Sequence, residues 1–333
     1  MTSAAPTDQP VRAGSVGALS AKRPLGDRAF QILTLAAGLL VLVILVLIAA
    51  TTTDQSTSWF SHEGISGIFS KTWDIQHNKF GALGFIFGTA LTAVIAVILS
   101  VPVSLGIALL LTEVVRRRFA RPLVYVIDLL AVVPSVVWGL WGFIVFAPWL
   151  QTTVYASIGS FFKGVPVLGA LFGPPATGGV SGLSFMTAGI ILAFMITPII
   201  TSLSREVIAT VPTMDREGAY ALGATRLEMI RGVVLPHSQG GLVGAVLLGL
   251  GRAMGETIAV ALVIGSSASV ITSHLFAPGY NMPAVIANQF GEATGLQKAG
   301  LMGIAVLLFV LTIIINVAAR GIVARTARRG RGA

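Results

Sequence analysis

Glu217-Gly218-Ala219-Tyr220-Ala221-Leu222-Gly223-Ala224-Thr225-Arg226-Leu227-Glu228 opens a forty-residue stretch that closes on Gly251-Arg252-Ala253-Met254-Gly255-Glu256. The first half is polar enough to lie in water and is punctuated for two short helices. Thr213 or Asp215 is placed to cap the first, Gly223 supplies the permissive backbone that ends it, and Thr225 and Glu228 stand in capping-box spacing for the second, which runs toward Pro236. Leu222, Leu227, Ile230 and Val233 recur at roughly helical spacing beside Arg226 and Arg231. On a segment outside lipid, such an apolar stripe calls for a groove in another protein. The second half is apolar but carries Arg252 and Glu256, two charges that a span normally turns toward a cavity or toward each other. The stretch thus joins a part shaped to receive motion from a soluble partner to a part shaped to handle a charged solute.

The rest of the chain supplies the bundle around it. Of 333 residues, 55% are apolar and 11% charged, with a mean hydropathy of +0.88, a balance that suits lipid and not a soluble surface. Apolar runs long enough to cross about 30 Å of hydrocarbon are expected at Phe30 to Ala50, Leu83 to Thr112, Leu123 to Trp149, Phe185 to Val207, Gly240 to Gly265 and Ala299 to Val323. None shows strand alternation, so the expected fold is an all-α polytopic membrane protein of six transmembrane helices. The chain has no cysteine, which excludes disulfides, thiolate metal sites and cysteine nucleophiles.

Orientation follows from Lys and Arg. Seventeen of them precede the first span or follow the second, fourth and sixth. Only Lys71, Lys79, Lys163 and Lys298 occupy the opposite side. Both termini are therefore expected in the cytoplasm, and the net charge of +9 reflects topology and not nucleic-acid binding. The expected organisation is a disordered tail over residues 1–29, a permease domain over 30–323 with its coupling loop at 213–236, and a basic tail over 324–333. The basic residues before the first span do not make it a signal peptide, because its apolar run exceeds the usual core of about 7 to 15 residues. The segments from Thr51 to Ala82 and from Leu150 to Ser184 are either a docking surface for an external protein or short helices that shield the bundle. Gly164, Pro166, Gly169, Gly173, Pro174 and Pro175 break up the second.

Glu217-Gly218-Ala219, Gly223 and Val233-Val234-Leu235-Pro236 together resemble the Glu-Ala-Ala loop of ATP-binding-cassette importer permeases, with Gly218 and Val233 as departures. The resemblance implies a type I importer permease fold in which Glu217, Gly218, Ala219, Gly223, Arg226, Leu235 and Pro236 form a cytoplasmic coupling helix seated on an ATPase subunit. No Gly-x-x-x-x-Gly-Lys-Ser/Thr cradle occurs in the chain. ATP and Mg are thus expected on the partner ATPase, with no cofactor bound here.

The run from Leu248 to Val260, with Pro134 to Gly142 and Phe80-Gly81-Ala82-Leu83 leading to Gly88-Thr89, is similar to PstC-type permeases of phosphate-specific importers. Thr257-Ile258-Ala259-Val260 separates that type from its PstA-type sister. The resemblance implies a PstA-like permease partner, two PstB-like ATPases and a PstS-like phosphate-binding protein, in the cytoplasmic membrane of a bacterium. Arg252, Glu256, Thr257 and Thr197 are the candidate pathway residues. Arg252 offers a permanently charged fork of donors to an oxyanion, and Glu256, four residues on, shares its helix face and can compete for it. The alternative for the same two residues is a structural ion pair that locks helices. Thr197, with Thr201 flanking Pro198, either lines the path or bonds its own helix. Gly240 and Gly244, like Gly251 and Gly255, are small-xxx-small pairs that admit a close partner helix. Asp128 and Glu113 are expected to neutralise Arg116 to Arg121.

Arg252 identifies an anion and nothing finer, so sulfate, molybdate and phosphonate stand beside phosphate. A secondary anion transporter would show inverted repeats with broken helices. An intramembrane enzyme would need more than adjacent His237 and Ser238, and no His-Glu-x-x-His motif is present.

Overall fold

In the computed structural model, which describes residues 25–162, 164–173, 180–268 and 270–329, helices dominate and six of those described are long and apolar enough to cross a membrane. In chain order the elements are α1 (Leu25–Glu63), α2 (Ser66–Phe69), β1 (Trp73–Asp74), β2 (Lys79–Phe80), α3 (Leu83–Val114), α4 (Arg117–Val132) and α5 (Ser135–Phe162). They continue with α6 (Pro166–Phe172), α7 (Phe185–Ala209), α8 (Thr213–Ala221), α9 (Arg226–Gly255), α10 (Ile258–Val263), α11 (Met282–Gln289) and α12 (Gly295–Arg329). Of the expected disordered tail, residues 1–24 lie outside the described residues, as do Lys163, Pro174 and Pro175, whereas residues 25–29 are not disordered but form the start of α1.

Among the described residues, those up to Ala50 form a unit of their own, a stretch of α1 whose apolar side chains are exposed from Ala29 to Ala50. From Thr51 onward the chain forms the second unit. Its centre is the pair α3 and α7, where Gly189 lies directly against Ile95, and Ala96, Ala188, Ala193 and Ile196 are fully or nearly fully buried. Small residues at this contact let two backbones approach, which is how packing supplants the hydrophobic effect between helices in lipid. α9 joins the pair through Gly241 against Val207 and Gly249 against Ile200. A second cluster gathers on Trp59, which is 0% exposed, lies against Gly300 and Gly303 and donates its indole N–H to the Phe80 carbonyl at 2.8 Å. The antiparallel β1–β2 pair, Trp73 opposite Phe80, is an addition to the all-helical expectation.

Two expected spans are drawn differently by the structure. The third does not run from Leu123 to Trp149, because Val133 and Pro134 are extended and split α4 from α5. Proline disfavours helical backbone at the residue before it and donates no N–H itself, so the helix restarts at Ser135 and the long apolar segment is Ser135–Phe162. The fifth does not continue to Gly265. It ends at Gly255 and begins as early as Arg226, so the second elbow helix and the span are one helix. Neither long connection is a loop throughout: α1 reaches Glu63 and α5 reaches Phe162 before the chain turns.

Candidate functional site

α8 and the start of α9 make the elbow. No side chain caps α8: its N-cap is Pro212, so neither Thr213 nor Asp215 has the expected role, although Asp215 sits in the first turn, where its charge suits the helix dipole. The other end matches expectation. Gly223 takes φ +82°, its N–H reaches the Tyr220 carbonyl at 3.0 Å, and the Ala224 N–H reaches the Ala219 carbonyl at 3.0 Å. That is a paired-carbonyl stop that a side chain with a Cβ enters only with strain. At Thr225 the capping box closes, with the Thr225 N–H donating to Glu228 Oε2 at 2.7 Å and the Glu228 N–H to Thr225 Oγ1 at 3.4 Å.

The stripe expected to face a partner divides. Leu222 and Leu227 are exposed, at 91% and 55%, and are joined by Met214 and Tyr220. Ile230 and Val233 instead pack inward on a cluster of Ala108, Ile208, Val211, Met229 and Val234. Glu217, Gly218 and Arg226 lie on the exposed surface, and Ala219 is half-buried on the cluster. A cation anchors the elbow to the bundle: Arg216 Nη2 donates to the Ile208 carbonyl at 2.7 Å and lies 3.2 Å from Glu113 Oε1. Glu113 therefore pairs with the elbow, and among the described residues it forms no ion pair with Arg116, Arg118 or Arg121.

Pro236 does not end the second elbow helix. The preceding turn, Ile230–Val234, widens to π geometry, and the Leu235 N–H bonds back five residues to the Ile230 carbonyl. Widening the ladder ahead of the ring relieves the clash and the missing donor that proline imposes. Leu235 is half-buried, Pro236 exposed, and the helix runs unbroken to Arg252. His237 is exposed while Ser238 is buried, which leaves the two without a shared site.

At the far end of α9 the pairing expected of Arg252 and Glu256 is absent. The helix stops between them: Arg252 is in the last turn, Glu256 is extended at φ −69°, ψ 127°, and α10 restarts at Ile258. Four residues no longer place them on one face, and neither belongs to any of the three ion pairs among the described residues. Local bonds hold the break. Thr257 Oγ1 donates to the Gly255 carbonyl at 3.2 Å, and buried Asn281 donates from Nδ2 to the Glu256 carbonyl at 3.4 Å while its Oδ1 accepts the Ala284 N–H at 3.0 Å. Thr197 bonds its own helix, donating to the Ala193 carbonyl at 2.7 Å.

Arg252 opens onto a groove of about 800 Å³, which Ile199 of α7, Gly240, Gly244, Leu247, Leu248 and Gly251 of α9, and Asn316 and Arg320 of α12 also line. Glu256, Thr257 and Thr197 are not among its lining residues, and no carboxylate is. Gly240, Gly244, Gly251 and Gly255 have nothing within 4 Å of where a Cβ would stand, whereas Gly241 and Gly249 are packed on α7. α9 thus turns one small-residue face inward and leaves the other open beside Arg252. Asn316 and Arg320 line this groove although in the sequence Arg320 reads as one of the basic residues that flank the sixth span. Their spacing of one helical turn was the signal. Asn281 gave no local sign at all, since the backbone it holds is 25 residues away.

The family described as binding-protein-dependent transport system inner membrane component matches residues 100–331. A phosphate transport system permease protein PstC of Mesorhizobium japonicum is 44% identical over 298 residues, 89% of each chain. The protein of that name in Haemophilus influenzae is 41% identical over 285 residues, 85% of this chain and 89% of the other. PstC 1 of Mycobacterium tuberculosis is 40% identical over 261, 76% of each. Among solved structures, a bacterial alginate ABC transporter in complex with alginate pentasaccharide-bound periplasmic protein aligns at TM-score 0.58 and 14% identity, over 91% of this chain and 98% of that one. An inward-facing MetNI methionine ABC transporter aligns at 0.54 and 19%, over 76% and 99%. At those identities the likeness speaks for the fold: a multi-pass bundle of the type I importer permease kind.

Proposed function

The chain belongs to the binding-protein-dependent transport system inner membrane component family, and from that premise we propose that it is the PstC-type permease subunit of an ATP-driven importer of inorganic phosphate. One observation carries the mechanism: α9 begins in the elbow and carries Arg252 in its last turn, so one helix links a partner-facing surface to an unpaired cation in an open groove. Support for phosphate as the solute comes from relatives that bear that name at 40% identity and above over most of their length.

In this reading Met214, Tyr220, Leu222 and Leu227 seat the elbow, with Glu217, Gly218 and Arg226, on a PstB-like ATPase, one of two in the complex. The open glycine face of α9 meets a PstA-like permease, and a PstS-like protein delivers phosphate from outside. ATP and Mg bind the ATPases. This subunit is non-catalytic and binds no cofactor. Motion received at the elbow shifts α9 and alters the groove at Arg252, whose guanidinium fork matches phosphate oxygens. Glu256 and Thr257 stand just past the helix end and shape the outer approach. Both termini face the cytoplasm of a bacterial cell in this reading, which the Lys and Arg distribution supports.

Reconstitution tests the proposal. Vesicles holding the complete complex should take up phosphate only with the ATPase subunit and ATP, and deletion of residues 217–223 should abolish uptake. Uptake by this chain alone under an ion gradient would make it a secondary transporter and end the proposal.

A further inference from the structure

We infer that Asn316 and Arg320 of α12 form a second oxyanion-binding station in the groove that starts at Arg252. It lies toward the elbow end, because Arg320 belongs to the basic flank that the Lys and Arg distribution assigns to the elbow's side of the membrane. The inference rests on the transport reading above and extends it to residues outside the Arg252 motif. Both side chains line the same cavity as Arg252, and a spacing of four residues puts them on one face of α12, one turn apart. Neither has a side-chain hydrogen bond or ion pair among the described residues, and the cavity lining holds no carboxylate to neutralise them. Asn316 lies within a candidate span, Gly295–Ala318. A polar side chain left without a partner there is retained against a cost, which is the usual mark of a solute contact.

The length of the groove explains why one station is not enough. Gly240 and Arg252 both line it and stand twelve residues apart on α9, which is roughly 18 Å of helix. Between them the wall is Gly244, Leu247, Leu248 and Gly251. A dianion leaving Arg252 would find only backbone and hydrocarbon on this subunit's side of that stretch, at a steep desolvation cost. A guanidinium fork with an amide donor beside it, at the far end, gives the ion a lower-energy stop before it leaves. Two stations of similar strength also favour release, because neither must hold the ion tightly.

The same chemistry would bind the phosphate of a lipid headgroup, so the test separates the sources. The complete complex is reconstituted in phosphatidylcholine vesicles, and initial rates of radiolabelled phosphate uptake are read with ATP hydrolysis and subunit co-purification. Arg320→Gln should slow uptake about ten-fold, the loss of one charge-assisted contact, with hydrolysis maintained. Asn316→Asp, which keeps volume but repels the ion, should do the same. Arg325→Gln, on the same basic flank, should leave uptake unchanged. Wild-type rates for both Arg320→Gln and Asn316→Asp would overturn the station, as would an equal loss in Arg325→Gln. So would an Arg320→Gln defect that appears only when anionic lipid is added, since that marks a headgroup site. Absence of phosphate uptake by the wild-type complex would instead refute the transport reading itself.

Discussion

Glu113, in the last turn of α3, and Arg216, on the first elbow helix, meet at 3.2 Å and form the only one of three ion pairs among the described residues that joins separate helices. Glu113 is 6% exposed and Arg216 21%; Arg216 donates one Nη2 proton to the Ile208 carbonyl, and Glu113 Oε1 accepts no hydrogen bond. The pair is therefore a charge contact laid over a backbone anchor. It ties the elbow to the end of α3, as α9 ties it to the groove.

Arg216→Gln should uncouple the complex. Removing the cation leaves a largely buried carboxylate unpaired, at about 1–3 kcal/mol, less whatever solvent on the arginine side screens. Hydrolysis of ATP should persist while phosphate carried per ATP falls several-fold. Glu113→Gln should behave alike, and the double substitution should cost less than the sum of the two. Strict additivity would show that the contact has no part in coupling.

Two glycines in the elbow should respond in opposite directions. Gly223 sits at φ +82°, so Gly223→Ala should destabilise the turn by about 1–2 kcal/mol. Gly218 is in a helix with open space where a Cβ would stand, so Gly218→Ala should stabilise by up to about 1 kcal/mol. Thermal unfolding of the purified complex, followed by proteolysis at the elbow, would separate them.

Asn281→Ala should loosen the break after α9. It removes the cap of α11, worth about 1 kcal/mol, and frees the Glu256 carbonyl. Amide exchange should accelerate across residues 282–285 and near 256–258 while the elbow is unaffected. Unchanged exchange at both places would mean that the break is held by packing alone.

The β1–β2 turn should depend on pH. Asp74 bonds His77 Nδ1 through Oδ2 at 2.7 Å and accepts the Gln76 and His77 N–H groups through Oδ1. The His77 side-chain bond is the main cause that lowers its pKa below the ordinary 3.8. A carboxyl lowered in the folded state stabilises above its unfolded value, and that support is lost as pH falls through the folded one. The turn should hold from neutrality to about pH 4 and loosen below, as read by Trp73 fluorescence. Asp74→Asn should flatten the profile.

Much of this molecule is readable from local chemistry. Span length identified six helices, and the Thr225–Glu228 box and Gly223 turn appear where their side chains require them, because such signals act within a few residues. The start of the third span was misplaced although Pro134 marked it, since hydropathy averages across a break that one dihedral makes. The break at Glu256 has no such mark: the side chain that bonds its carbonyl, Asn281, is brought back by the fold. Sequence proximity points Glu113 to the Arg116 to Arg121 run, whereas its partner, Arg216, arrives about a hundred residues later. Where a contact is made by tertiary return, composition and spacing are silent.

ATP-driven uptake of radiolabelled phosphate by vesicles holding the assembled complex, wild type against Arg252→Gln, tests the central claim that one helix carries motion from the elbow to a cation in the path. Uptake should fall ten-fold or more, with the subunits still associated and ATP still hydrolysed. Undiminished uptake by the assembled Arg252→Gln complex would contradict the account.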